Sequence, residues 1–225
     1  MKTISEIAFI AAAALLLTGG ICSANPTAIN ITSQTNFIEG IAGYIDPVEY
    51  SHSEHIPVSD SATKFENGNS ITISSSAGSF FANAKSESTG AAGFAQAGHS
   101  TWFTSNEEIV KISLWGKLAG TENREPQSNF FIWDTTTNTH LTAKVFELPF
   151  NTTQFTEKTF SDSYTLQVEP GHEYLLRLES RVSATSPGTF YSELNASVDS
   201  ALIPAPTAIL LATLALPFIR KLKTK

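Results

Sequence analysis

The sequence has a single cysteine, Cys22, and it lies among the first 24 residues. Those residues follow the pattern of a secretory signal peptide: Lys2, an apolar stretch over 7–17, and small residues before a cleavage point after Ala24. The chain after cleavage has no cysteine, so disulfide bonds cannot stabilise it. Roughly 180 residues suffice for one core of good size, so a single domain is the simplest expectation.

Basic residues are also scarce in the body of the chain. When Lys2 and Glu6 are removed with the leader, and the basic cluster with the C-terminal tail, residues 25–203 carry a net formal charge of −11. A surface this acidic repels nucleic acid and anionic lipid, so neither is expected as a partner of the mature domain. The composition suits an extracellular domain.

Long helical periodicity is lacking, and short alternating segments take its place. Over 110–118, Val110, Ile112, Leu114, Gly116 and Leu118 share one face, and Lys111, Ser113, Trp115 and Lys117 share the other. Further strands are predicted over 69–74, 129–133, 141–146 and 189–198. A hairpin is predicted over 164–182, with its turn at Glu169-Pro170-Gly171-His172. The segment 46–60 is predicted as a long surface loop.

These short strands, without crossover helices, predict an all-β fold for residues 25–202: an antiparallel β-sandwich or jelly-roll-like single domain. The sequence has no Gly-x-Ser-x-Gly elbow and no phosphate-binding glycine loop, and its acidic residues show no marked acid/base pair. We therefore expect no catalytic residues and no cofactor.

Two weaker signals concern binding. His52, Glu54 and His55 are close in sequence and could ligate a metal, although polar loops often have this composition. His99, His140 and His172 are isolated, and His172 is expected to meet solvent in its turn.

Trp115, on the polar face of its strand, could stack against a sugar ring; burial beneath a loop or a second sheet is the commoner outcome for such a residue. Trp133 is predicted to be a core residue.

The C-terminus combines Ile203-Pro204-Ala205-Pro206, an apolar segment over 207–219 and a basic end formed by Arg220, Lys221, Lys223 and Lys225. A helix of about 20 Å is short for a hydrocarbon core of about 30 Å. The arrangement over 203–225 resembles the PEP-CTERM sorting signal of Gram-negative surface proteins, with Ala205 in place of the usual glutamate. The resemblance implies a transient membrane helix, processing by an exosortase-type membrane protease, and placement at the cell surface, often alongside exopolysaccharide.

Three functions follow from these observations. The leading one is a non-catalytic, structural or biofilm-associated protein of the cell surface or extracellular matrix. The alternative is a carbohydrate-binding module acting on exopolysaccharide, with Trp115 as its platform. A secreted hydrolase is a third hypothesis.

Overall fold

The computed structural model describes residues 29–120, 126–148 and 154–200. The predicted leader 1–24 and sorting segment 203–225, with its motif and basic end, lie outside these residues. Among the described residues, no helix is long and apolar enough to span a bilayer. The same residues form twelve β-strands: β1 (Ile29–Ala42), β2 (Val48–Glu54), β3 (Val58–Glu66), β4 (Asn69–Gly78), β5 (Phe81–Ser88), β6 (Gly93–Ser105), β7 (Ile109–Gly120), β8 (Gln127–Asp134), β9 (Thr139–Glu147), β10 (Thr156–Gln167), β11 (Glu173–Ala184) and β12 (Gly188–Ser200).

The strands form two antiparallel sheets within one compact unit, Ile29–Ser200. Sheet A has the order β2-β1-β6-β11-β8-β9, and sheet B has the order β10-β7-β12-β5-β4-β3. Every described strand pairs antiparallel with its neighbours, and residues from both sheets contribute to one hydrophobic core. The prediction of an all-β antiparallel sandwich is confirmed.

The strands from β5 to β12 wind as in a jelly roll. In this part of the chain, β5-β12-β7-β10 are neighbours in sheet B and β6-β11-β8-β9 are neighbours in sheet A. The chain therefore crosses repeatedly between the sheets, which is the winding of two Greek keys. β1 and β2 extend sheet A beyond β6, and β3 and β4 extend sheet B beyond β5.

The alternation in the sequence becomes the inner and outer faces of the sheets. In β7, Val110, Ile112, Leu114 and Leu118 are at most 1% exposed, as their period-2 pattern predicts. Phe130 of β8 meets Tyr164 of β10 across the core, with 5.1 Å between ring centroids. Phe146 stacks on Phe160 at 4.0 Å, where sheet edges β9 and β10 face each other. The aromatic residues thus help to close the sandwich on that side.

The predicted hairpin over 164–182 has the right turn but the wrong pairing. Gly171 has φ 86° and the His172 N–H donates to the Glu169 carbonyl at 3.1 Å, as in a type II turn with proline at its second position. However, β10 pairs with β7 in sheet B, and β11 pairs with β6 and β8 in sheet A. Alternation around a tight turn predicts a chain reversal, but it does not determine whether the strand returns in the same sheet or in the opposite one.

The predicted loop over 46–60 was also wrong, because it contains β2 and the start of β3. β2 is an edge strand of sheet A and β3 is an edge strand of sheet B, so both have few buried positions. Tyr50 and Ala62 are buried, and most of their neighbours are exposed polar residues. An edge strand needs little apolar sequence, so its pattern resembles that of a loop.

Candidate ligand-binding faces

Two tryptophans lie in one line across the outer face of sheet A. The cross-strand register aligns Ser33, Trp102, Leu175, Trp133 and His140, from β1 through β6, β11 and β8 to β9. We call these five residues the tryptophan row. Neighbouring strands are about 4.8 Å apart, so the two tryptophan Cα atoms, two strands apart, are about 10 Å from each other.

The row points away from the core because its neighbours along each strand point inward. Thr101 and Phe103 flank Trp102 and are at most 1% exposed, and Ile132 beside Trp133 is 0% exposed. Trp133 is half-buried on the outer face, so its prediction as a core residue was wrong. Its ring meets that of His140 edge-on, with centroids 5.8 Å apart. Alternate residues of the apolar segment 129–133 must face outward, but the segment alone does not indicate which ones.

An arginine held between aromatic rings lies beside the row. The Arg177 guanidinium carbon is 5.0 Å from the ring centroid of Phe37 and 5.8 Å from that of Phe131, within the range of a cation–π interaction. Its Nη2 lies 2.5 Å from Glu179 Oε1. The Phe37 ring covers Gly98, where a Cβ atom would lie 2.0 Å from it. A side chain at position 98 would therefore displace the ring and disturb the arginine above it.

Trp115 lies on the opposite side of the molecule, on the outer face of sheet B. It is 46% exposed, so neither a loop nor the second sheet covers it. Polar residues occupy the adjacent positions: Ser161 on β10 and Asn195 on β12 across the strands, and Ser113 and Lys117 along β7. We call these five residues the Trp115 patch. It consists of one large exposed ring with a polar rim.

The polar rim of the Trp115 patch is held by hydrogen bonds. Asn195 Nδ2 donates to Glu193 Oε1 at 2.7 Å and approaches the Trp115 carbonyl at 3.5 Å. The Tyr191 hydroxyl donates to the second oxygen of the same carboxylate. Burial, followed by this hydrogen bond to Glu193, raises the pKa of Tyr191 to about 12, so Tyr191 remains a donor at neutral pH. Lys117 Nζ is paired with Glu157 at 2.7 Å.

The predicted metal ligands are not brought together. His52 Nε2 is 2.8 Å from Asp60 Oδ2, which links the exposed edges of β2 and β3, and this hydrogen bond is the main cause of a lowered pKa at Asp60. His55 Nδ1 lies 2.6 Å from the carbonyl of Gln34, and Glu54 is exposed. Over the described ranges, no group of three or more His, Cys, Asp or Glu residues could hold a metal ion.

His172 has a carboxylate partner and does not rely on solvent. Its Nδ1 is 2.9 Å from Asp134 Oδ2, and its Nε2 is 3.3 Å from Glu169 Oε2. The hydrogen bond to Asp134 raises the pKa of His172. Burial opposes ionisation of Asp134, but hydrogen bonds from His172 and Thr137 leave its pKa below the usual value. The pair ties the β10–β11 turn to the end of β8.

His99 is buried in a polar cluster inside sheet A. It is 0% exposed, its Nδ1 lies 2.7 Å from Asn36 Oδ1, and its Nε2 contacts the Thr101 hydroxyl. Asn36 Nδ2 in turn donates to the Ile56 carbonyl at 2.9 Å. Burial lowers the pKa of His99 to about 4, so the ring is neutral at physiological pH. Because no ligand can reach it, the cluster is structural.

An open depression lies at one end of the sandwich, between the β1–β2, β3–β4 and β5–β6 connections. Tyr44, Ile45, Glu66 and Asn69 are among its lining residues. Glu66 accepts the backbone N–H of Ile45 at 2.8 Å and that of Tyr44 at 3.3 Å, so its carboxylate holds the β1–β2 connection in place. Nothing in this arrangement activates a nucleophile or prepares a proton transfer.

No family model matches the chain, and no curated protein matches it significantly in sequence. Solved structures that it resembles include the enzymatically active domain of bacteriophage CBA120 tailspike protein 4 (11% identity, TM-score 0.28), matched over 77% of this chain and 20% of that one. They also include a CBM4 module (14% identity, TM-score 0.27), matched over 64% of this chain and 78% of that one. A family 16 carbohydrate-binding module (17% identity, TM-score 0.28) is matched over 57% of this chain and 85% of that one. TM-scores this low do not establish a function for this chain.

Proposed function

We propose that this chain is an exported, non-catalytic surface protein that binds polysaccharide through the tryptophan row. The alignment of Trp102 and Trp133 on the outer face of sheet A carries the proposal. A soluble sandwich normally turns polar side chains outward, whereas Trp102 and Trp133 both face outward and are partly exposed. Outward aromatic groups that lie together are typical of binding surfaces. The carbohydrate-binding hypothesis is kept, but its principal site moves from Trp115 to the opposite sheet.

The chemistry of the row suits a chain of linked sugars. A pyranose ring has an apolar face of C–H groups and a rim of hydroxyls, so it stacks on an indole while its rim forms hydrogen bonds. Trp102 and Trp133, about 10 Å apart, are too widely spaced to stack on one ring. Ser33 and His140, at the two ends of the row, supply polar groups for hydroxyls. A short segment of polysaccharide lying across the strands satisfies both kinds of contact.

Charge favours a neutral polysaccharide. Residues 25–203 have a net charge of −11, and Glu179 lies on the same outer face of sheet A, paired with Arg177. An anionic polymer would be repelled at long range, and binding a neutral one does not depend on ionic strength.

Affinity electrophoresis with the neutral exopolysaccharide of the producing cell tests this proposal. The polysaccharide should retard the full-length chain in the gel, and changing both Trp102→Leu and Trp133→Leu should remove most of the retardation. Leucine retains apolar area in the half-buried positions, so the variant should keep the circular-dichroism spectrum of the parent. Phe65→Leu, a change at a 78% exposed aromatic residue of β3, is the matched control and should behave as the parent does. If the parent itself is not retarded, the proposed function is wrong.

Export and sorting form the second part of the proposal. The Ile203–Pro206 motif and the short apolar segment behind it would present an extended, helix-free peptide at the outer surface of the membrane, because proline disfavours helix there. An exosortase-type protease would cut at that point and release the sandwich to the cell surface or matrix.

Intact-mass measurement of protein from the producing cell tests the sorting step. The mature protein should lack the residues after the motif, and changing Pro204 and Pro206 to alanine should leave uncut, membrane-bound precursor. A mature species that still ends at Lys225 would show that the segment is an ordinary anchor.

A further inference from the structure

We propose that the sandwich binds two polysaccharide chains at once, through the tryptophan row and through the Trp115 patch, and so cross-links them. The inference rests on the proposed function and adds a second binding site, which would make the protein a cross-linker of polysaccharide. It is carried by the position and the surroundings of Trp115.

The two faces point in opposite directions. The tryptophan row lies on the outer face of sheet A, and Trp115 lies on the outer face of sheet B. Packed sheets are about 10 Å apart, and the outward side chains add to that thickness. A straight polysaccharide segment on one face therefore cannot reach the other, and two occupied faces require two segments.

The surroundings of Trp115 suit a sugar ring better than a protein partner. A stable protein interface buries roughly 800 Å² on each partner around an apolar centre. Around Trp115 the adjacent positions carry Ser113, Lys117, Ser161 and Asn195, so the apolar area is one indole wide. One indole with hydrogen-bonding groups at its margin is enough to stack on one sugar ring and to contact its hydroxyls.

Part of that margin is already in position before a ligand binds. Glu193 receives hydrogen bonds from both Tyr191 and Asn195, which restrains the Asn195 amide beside the indole. Gly116, next to Trp115, permits β7 and β12 to approach closely here, because a Cβ atom there would lie 2.1 Å from the Glu193 carbonyl oxygen. A site restrained in this way loses less conformational entropy on binding.

Two sites on one rigid domain have a large effect on a polymeric ligand. Once one site is occupied, a second segment on the same support binds at high effective concentration, which can strengthen overall binding by about 10²- to 10⁴-fold. Cross-linking also unites the two leading hypotheses from the sequence. A sugar-binding domain with opposed sites is itself a structural component of a matrix.

A bridging assay tests the inference. Exopolysaccharide of the producing cell is fixed to beads, the full-length chain is added, the beads are washed, and fluorescently labelled exopolysaccharide from the same preparation is supplied. The parent should recruit the label. Trp115→Ala should still bind the beads through the tryptophan row, but with an apparent affinity lower by on the order of 10²-fold and without recruiting the label. Phe65→Ala, an exposed aromatic change on the same sheet face, should recruit as the parent does.

The outcomes separate the two proposals. If the parent does not bind the beads, the proposed function fails. If the parent binds but recruits no label, or if Trp115→Ala recruits as much label as the parent, only the second site is refuted. Asn195→Ala provides an independent check, because it leaves the indole in place and removes an amide of the rim. It should reduce recruitment, and full recruitment would contradict the site as described.

Discussion

The two sheets distribute polar and apolar side chains in different ways. Sheet B follows the binary pattern more closely: Ile112 and Leu114 lie inside, and Phe65 and Trp115 are exposed aromatic exceptions outside. Its outer face is otherwise rich in hydroxyls, including Ser59, Ser61, Thr63, Thr72, Ser74, Ser76, Ser113, Ser161 and Ser163. Sheet A is partly inverted. His99 and Thr101 are fully buried, and Trp102, Phe131 and Trp133 lie outside. The buried polar residues form the structural cluster around His99. The outward aromatic residues add nothing to the core, and such departures from the pattern are expected at functional surfaces.

Substituting the adjacent residues Phe130 and Phe131 should test this comparison with the largest change in the free energy of unfolding. Phe130 is 1% exposed and meets Tyr164 across the core, whereas Phe131 faces outward. We expect Phe130→Ala to lower the free energy of unfolding by about 3–5 kcal/mol. Phe131→Ala should lower it by about 1 kcal/mol and should weaken polysaccharide binding. Urea denaturation of both variants checks this, and equal losses would contradict the assignment of the two faces.

Acid should reveal the polar interior of sheet A. The pKa of His99 is about 4 in the folded chain and 6.5 when it is exposed, so the neutral ring stabilises the fold fully above pH 6.5. That contribution is lost as the pH falls from 6.5 towards 4, by about 3 kcal/mol. Chemical denaturation over this range measures it.

His99→Gln provides the control for this acid prediction, because glutamine retains hydrogen-bonding capacity and does not titrate. Between pH 6.5 and 4, the other groups with shifted pKa values should change the stability little. His172, with a raised pKa, is charged in both states below pH 6.5, and its stabilisation is lost only as the pH rises through its folded pKa. Asp60 and Asp134, with lowered pKa values, lose their contributions only as the pH falls below about 4. A stability that does not change from pH 6.5 to 4 would mean that His99 is not buried as neutral imidazole.

The hydroxyl-rich face of sheet B should give the smallest effect. Thr63 Oγ1 and Thr72 Oγ1 lie 3.0 Å apart at the surface. Thr63→Val removes this hydrogen bond and keeps a β-branched side chain in the strand, so the free energy of unfolding should change by less than about 0.5 kcal/mol. Retardation by polysaccharide should be unchanged. If retardation were lost, the hydroxyl-rich face of sheet B would be the principal ligand-binding surface, and the comparison between the sheets would reverse.

The sequence predicted the strands best where one side of a strand is buried and the other is not. β7, with its clean alternation, was predicted residue by residue, and the outward direction of Trp115 was part of that pattern. The tryptophan row was not predicted, because its two tryptophans come from β6 and β8, which are far apart in sequence and are joined only through β11. Within the apolar segment 129–133 the pattern predicts Trp133 as core, whereas its neighbour Ile132 occupies that position. Outward aromatic residues in an apolar strand have no local signature of their direction.

Local sequence by itself determined the β-strand periodicity, the type II turn at Glu169–His172 and the acidic balance of the domain. These follow from side-chain period, backbone dihedral preferences and charge, which act between near neighbours. Only the tertiary structure decided that the turn crosses from sheet B to sheet A, that 46–60 contains edge strand β2 and the start of edge strand β3, and that two tryptophans share one row. Such pairings depend on which strands meet, as when β1 places Asn36 opposite His99. A period of two gives a strand its faces but does not select its partner.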